Sequence, residues 1–86
     1  MTKVTCKVDN HWYWALETAS ITFTSPKGGY VRINKVKMFE LDDQQRKFVW
    51  ELFDRSEDSK TVELTIDEMN QLVKIGNIAG SVYTKK

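Results

Sequence analysis

Apolar and polar residues alternate through the first third of the chain. Val4, Cys6 and Val8 take one side and Thr5 and Lys7 the other, the two-residue period of a strand with one buried face. Asp9 and Asn10 supply a turn. Trp12, Tyr13 and Trp14 are strong strand formers, and alternation predicts a second strand with both tryptophans on one face and His11, Tyr13 and Ala15 on the other. Ile21 and Phe23, set among Ser20, Thr22 and Thr24, predict a third strand. Ser25-Pro26-Lys27-Gly28-Gly29 is turn chemistry, after which Tyr30 to Ile33 returns as a fourth. Val31 and Ile33 share a parity that Val36 and Met38 do not, so a bulge or break is required near Asn34 and Lys35.

From Leu41 to Gly76 the period changes to that of a helix. Asp42 is placed to accept from the free amides of an opening turn, Gln45 to reach back to it, and Asp42 and Asp43 both suit the positive end of the helix dipole. At 100° per residue, Leu41, Phe48, Val49, Leu52 and Phe53 fall together and predict the core-facing side. A second helix is marked by Thr65-Ile66-Asp67-Glu68, a T-x-x-E capping box, with Leu64 and Met69 as its hydrophobic staple. Ile66, Met69, Leu72 and Val73 are its expected apolar face, and Gly76 and Asn77 place its end near Ile75, with an extension to Gly80 as the alternative. Thr61 to Leu64, between the helices, reads as a short strand. The predicted architecture is α+β in the order β-β-β-β-α-β-α: a small antiparallel sheet of about four to five strands with two helices packed on one face.

The loop from Asp54 to Lys60 is rich in acceptors and resembles an EF-hand loop at Asp54, Ser56 and Asp58. Ser59 stands where that pattern needs Gly, and Thr65 where it needs a bidentate Glu. The expectation is a solvated acidic loop and no metal.

Composition narrows the class further. The chain has 86 residues, 41% hydrophobic and 29% charged, as expected of a single domain, residues 1–86. No apolar run approaches membrane-spanning length, and the start has no basic-then-apolar leader. A lone cysteine, Cys6, cannot form an internal disulfide and fits a reducing, cytoplasmic setting. Net charge is +1, but up to Lys37 six cations face two acids, whereas from Met38 onward seven face ten. Such asymmetry steers charged partners or is neutralised across the fold.

Candidate chemistry is sparse. His11 is the only histidine, Cys6 lies in an apolar register, and the pair cannot supply a structural zinc site, which takes four such ligands. Lys27-Gly28-Gly29 has its lysine before the glycines and a strand after them, the reverse of a phosphate loop. No catalytic residue and no cofactor are expected, and the reading is a non-enzymatic binding protein. Its size and composition resemble those of short accessory or inhibitory proteins of phages and mobile elements.

Trp50 is the leading contact residue, because it projects away from the apolar side of its helix among Asp43, Arg46, Lys47 and Asp54. Either it lies flat beneath Arg46 or Lys47, worth about 0.5–1 kcal/mol, or the N-terminal half covers it, or it anchors a larger protein partner with Arg46, Lys47 and Asp54 around it. A free sheet edge offers a second route, to a partner strand or to a second copy in a homodimer. The alternative function is single-stranded nucleic-acid binding on a basic aromatic sheet through Tyr13, Tyr30, Arg32, Lys35 and Lys37, joined by Trp12 or Trp14 if one is exposed.

Overall fold

The computed structural model describes residues 3–12, 15, 17–56 and 60–84. Strands β1 (Lys3–His11), β2 (Ser20–Thr24) and β3 (Tyr30–Asn34) come first, followed by a 3-10 helix (Lys35–Glu40), helix α1 (Asp43–Ser56), strand β4 (Thr61–Thr65), helix α2 (Ile66–Ala79) and strand β5 (Gly80–Tyr83). The strands form one five-stranded sheet in the order β4-β1-β2-β3-β5, with every neighbouring pair antiparallel. The chain therefore has the expected α+β fold, in the order β-β-β-α-β-α-β.

Alternation decides which face is dry. Cys6, Val8, Ile21, Phe23, Val31, Ile33, Val62 and Leu64 all point to one side, where they meet Leu41, Val49 and Leu52 at and within α1 and Leu72, Ile75 and Ala79 of α2 in a single core. The opposite residues of the same strands form an uncovered face. β1 is staggered: Lys3 to Lys7 pair with β4, and Lys7 to His11 with β2. The segment β4-α2-β5 then carries the chain from one edge of the sheet to the other, with α2 laid across the strands between.

Both helix starts follow the sequence signals. Gln45 donates its amide to Asp42 Oδ1 at 2.8 Å and its side-chain oxygen accepts from the Asp42 amide at 3.1 Å. Thr65 and Glu68 make the same reciprocal pair at 3.1 and 3.0 Å.

Several expectations are corrected. Trp12 lies in a turn, not a strand, because its amide is taken by Asn10 Oδ1 at 2.9 Å, drawing the backbone out of the ladder. Tyr13 and Trp14 lie outside the described residues. The parity change after Asn34 is resolved by the 3-10 helix. α1 runs on through Asp54 to Ser56, whose buried hydroxyl donates to the Phe53 carbonyl at 3.1 Å, so the first three residues of the supposed acidic loop are helical; Asp58 lies outside the described residues. Of the two expected ends for α2 the structure has the longer: the helix passes Ile75 and continues to Ala79, with Gly76 buried inside it. Its buried stripe is Leu72, Ile75, Gly76 and Ala79. Ile66 is displaced from the centre of that stripe by about 120° and is 51% exposed. Strand β5 was not anticipated.

Candidate functional site

The core leaves two outward surfaces with distinct chemistry. The first is built where β1 ends against α1. Trp12, only 4% exposed, is driven inward at the turn after β1, and its ring meets Phe53 edge-on at 5.0 Å and Trp50 edge-on at 5.7 Å. Trp50 in turn stacks on Phe53 at 5.2 Å. Helical spacing explains this, since Trp50 and Phe53 are three residues apart on α1 and their rings lie over adjacent turns. Lys35 closes the far side of the cluster: its Nζ lies 5.7 Å from the centre of the Trp12 ring and donates to the Trp12 carbonyl at 3.4 Å.

Trp50 is thus covered in part by the N-terminal half, through Trp12, and remains 47% exposed. Arg46 is engaged with Asp43 one turn back rather than lying over the indole. A notch of about 360 Å³ opens beside the ring, lined by Val8, Asn10, Trp50, Phe53, Asp54, Ser56 and Lys60. Its floor exists because β4 begins only at Thr61, while β1 runs on to His11. The Lys60 carbonyl accepts from the Val8 amide at 2.8 Å, just where β4 begins. The structure brings Trp50 and Asp54 together at this notch. Lys47 is exposed on the same helix, one turn before the tryptophan.

The second surface is the uncovered side of the sheet. Register aligns one row of side chains across all five strands: Thr61, Lys7, Thr24, Tyr30 and Tyr83. Tyr30 and Tyr83 face one another across the β3–β5 pair and stack at 5.7 Å with 29° between ring planes. Two residues along β3 the Arg32 guanidinium lies 5.5 Å from the centre of the Tyr30 ring, its Nε donating to Thr22 Oγ1 at 3.3 Å. Of the residues proposed from sequence for a nucleic-acid surface, Tyr30 and Arg32 meet here. Lys35 and Lys37 do not, because the chain leaves the sheet for the 3-10 helix at Lys35, where Lys35 turns to Trp12. Tyr13 lies outside the described residues. Tyr83 was missed, and its signal was the apolar–polar alternation of Gly80 to Tyr83 just past a helix placed too short.

Other chemistry is dispersed. Cys6 and His11 project to opposite faces of β1. Cys6 is buried, with Sγ 4.0 Å from Met69 Sδ, and burial pushes its thiol pKa up. A hollow of about 590 Å³ follows β4 between Lys3, Arg55 and Glu68. Its charged groups answer one another: Arg55 bonds Glu68 at 2.8 Å, and the Thr65 amide together with that guanidinium holds the Glu68 carboxyl below the usual carboxylate range. Among the described residues no three His, Cys, Asp or Glu side chains gather as a metal site, and no helix is long and apolar enough to cross a membrane. Sequence reasoning also missed Val36 and Phe39, which eclipse one another on the 3-10 helix and leave Phe39 77% exposed. Comparisons of the chain with family models, with curated proteins and with solved structures give no match.

Proposed function

We propose that this chain is a non-enzymatic binding protein of the accessory or inhibitory kind, acting by docking α1 and the adjoining notch onto a larger protein. The observation that carries the reading is the state of Trp50: a large ring nearly half exposed, yet held between Phe53 and Trp12 at the mouth of a hollow. An indole fixed in advance loses little side-chain freedom when a partner covers it, which is one reason Trp is enriched among residues that dominate binding energy. Val8 and Phe53 give the notch an apolar wall for a partner side chain. Asp54 and Lys60 at its rim, with Arg46 and Lys47 along the helix, supply the polar surround of such interfaces.

A photo-crosslinker placed at Lys47 tests this in a lysate of the native host. A discrete crosslinked protein is expected, and Trp50→Ala should remove it while the thermal melt stays cooperative. Because the ring is half exposed, the stability lost should fall below the roughly 3–5 kcal/mol of a buried aromatic truncation. Crosslinking unaffected by Trp50→Ala overturns the reading. A dimer in sedimentation that Trp50→Ala dissolves would instead assign this face to a second copy of the chain.

A further inference from the structure

We propose that the uncovered face of the sheet binds single-stranded nucleic acid, with bases stacking on Tyr83 and Tyr30 and with Lys7, Lys27 and Arg32 holding phosphates. This site lies on the far side of the sheet from Trp50 and stands or falls independently of the docking surface.

The aromatic pair is placed for the purpose. Tyr83 lies on edge strand β5, so one side of its ring is taken by Tyr30 and the other has no strand beside it; the residue is 50% exposed. A base laid on that side extends the existing stack of Tyr30 and Tyr83. Every base has a π-face, so such stacking is tolerant of sequence.

The charges agree with the rings. The cross-strand row through Lys7, Thr24, Tyr30 and Tyr83 contains no carboxylate, and Lys27 in the β2–β3 turn sits at the end of the sheet, where it lines with Tyr30 and Tyr83 a hollow that reaches round to Met69 and Val73 of α2. No ion pair engages Lys7, Lys27 or Arg32 among the described residues. The two acids on this face lie away from the rings: Asp9 is two strands from Arg32, about 9–10 Å by strand spacing, and Glu63 is on the opposite edge strand from Tyr83, although both border Lys7, Asp9 two residues along β1 and Glu63 diagonally across the β1–β4 pair. From Lys7 to Tyr83 the row crosses three strand spacings, about 14 Å, a site of a few nucleotides. A double helix would hide the base faces, so the committed ligand is single-stranded.

The experiment is fluorescence anisotropy of labelled oligothymidylate and oligouridylate of about 15 nucleotides, beside a duplex of the same length, at about 50 and about 200 mM salt. The single strands should bind more tightly than the duplex. With three phosphates engaged and a slope of about −0.7 per contact, the affinity should fall by about 20-fold between the two salt concentrations. Tyr83→Ala should weaken binding by about 5- to 150-fold, from a stacking contribution of about 1–3 kcal/mol, and Tyr83→Leu should do the same, whereas Tyr83→Phe should retain affinity. Arg32→Gln should flatten the salt slope by about 0.7, and Lys74→Gln, a cation on the helical side, should leave binding unchanged. Absence of binding at the lower salt overturns the proposal. So does binding that ignores Tyr83→Leu in a folded protein, or a duplex or polyglutamate held as tightly as the single strands, since each reports a general charge effect or an acidic protein ligand.

Discussion

Gly76 looks like a helix terminator and acts as a spacer, and replacing it with alanine sets two known energies against each other. A methyl group there would lie 2.5 Å from Val31 Cγ1 and 2.8 Å from Val82 Cγ2, against an optimum carbon–carbon separation of about 3.5–4.0 Å. The overlap is therefore about 1 Å, from two strands at once. Neither valine can swing aside, because a β-branched side chain has little χ1 freedom and Val31 is enclosed by the core. Relief requires α2 to lift, which loosens Leu72, Ile75 and Ala79 with it. Overpacking of this kind costs about 1–3 kcal/mol. Alanine in a helix interior returns about 0.8–1.0 kcal/mol relative to glycine. Packing wins, and Gly76→Ala should lose about 1 kcal/mol, or about 4–8 °C in melting temperature for a domain of this size.

Urea unfolding followed by tryptophan fluorescence measures this directly, with an unchanged m-value showing that stability alone has moved. Asn77→Ala is the control: the neighbouring residue is exposed on the same helix, so only propensity acts and a gain of up to about 0.7 kcal/mol is expected. At Gly80 the added methyl would sit 1.8 Å from the Arg32 carbonyl oxygen. Backbone cannot rotate out of the way, so Gly80→Ala should cost more than Gly76→Ala and open the β3–β5 pair. A Gly76→Ala variant stabilised by about 1 kcal/mol, as at an exposed helical glycine, would refute the close seating of α2 on β3 and β5.

The capping box at Thr65 gives a second measurement: Thr65→Ala should lower stability by about 1 kcal/mol in urea, and Thr65→Asn should recover most of it. Glu68 links the same box to pH. Its folded-state pKa is depressed by the Thr65 amide and by Arg55, so its contribution is present above the ordinary carboxylate range and lost as pH falls through the lowered folded value. The melting temperature of wild type should therefore drop more steeply in acid than that of Glu68→Gln, which keeps an acceptor for the Thr65 amide but has no charge to lose. Cys6 is buried with a raised pKa, so a thiol reagent at mildly alkaline pH should label it only when urea unfolds the chain; prompt labelling of the native protein would contradict its place in the core.

What could be read from the sequence followed local rules. The Val4-Cys6-Val8 and Ile21-Phe23 alternations, the Asp42–Gln45 and Thr65–Glu68 boxes and the core side of α1 each depend on residues within one turn or one strand of each other. The misplaced elements depend on distant ones. Gly76 stays inside α2 because Val31 and Val82 leave no room for a side chain, a fact of β3 and β5 that no window around Gly76 contains. β5 becomes a strand because β3 offers it an edge. Trp12 left the strand it resembles because Asn10 caps its amide and α1 provides Phe53 and Trp50 to pack on. For the candidate surfaces the same division holds: the partial exposure of Trp50 was legible from its helical phase, but its stacking on Phe53 and Trp12 was not, and the meeting of Tyr30 with Tyr83 required a register between segments more than half the chain apart.

The two surfaces share a physical origin in the stagger of β1. Because β4 covers only its first half, the second half is bordered on that side by α1 and not by another strand, and Trp12 at its end is free to turn inward beneath Trp50. That same second half pairs with β2, whose hairpin with β3 sets Arg32 beside Tyr30, while α2 delivers β5 and hence Tyr83 to the outer edge. Each surface is therefore backed by the core, with its rings already in contact with one another. Preorganisation of this kind reduces the ordering cost of association at either face. A ligand on the sheet would also leave Trp50 uncovered, since the sheet and the core lie between the uncovered face and α1.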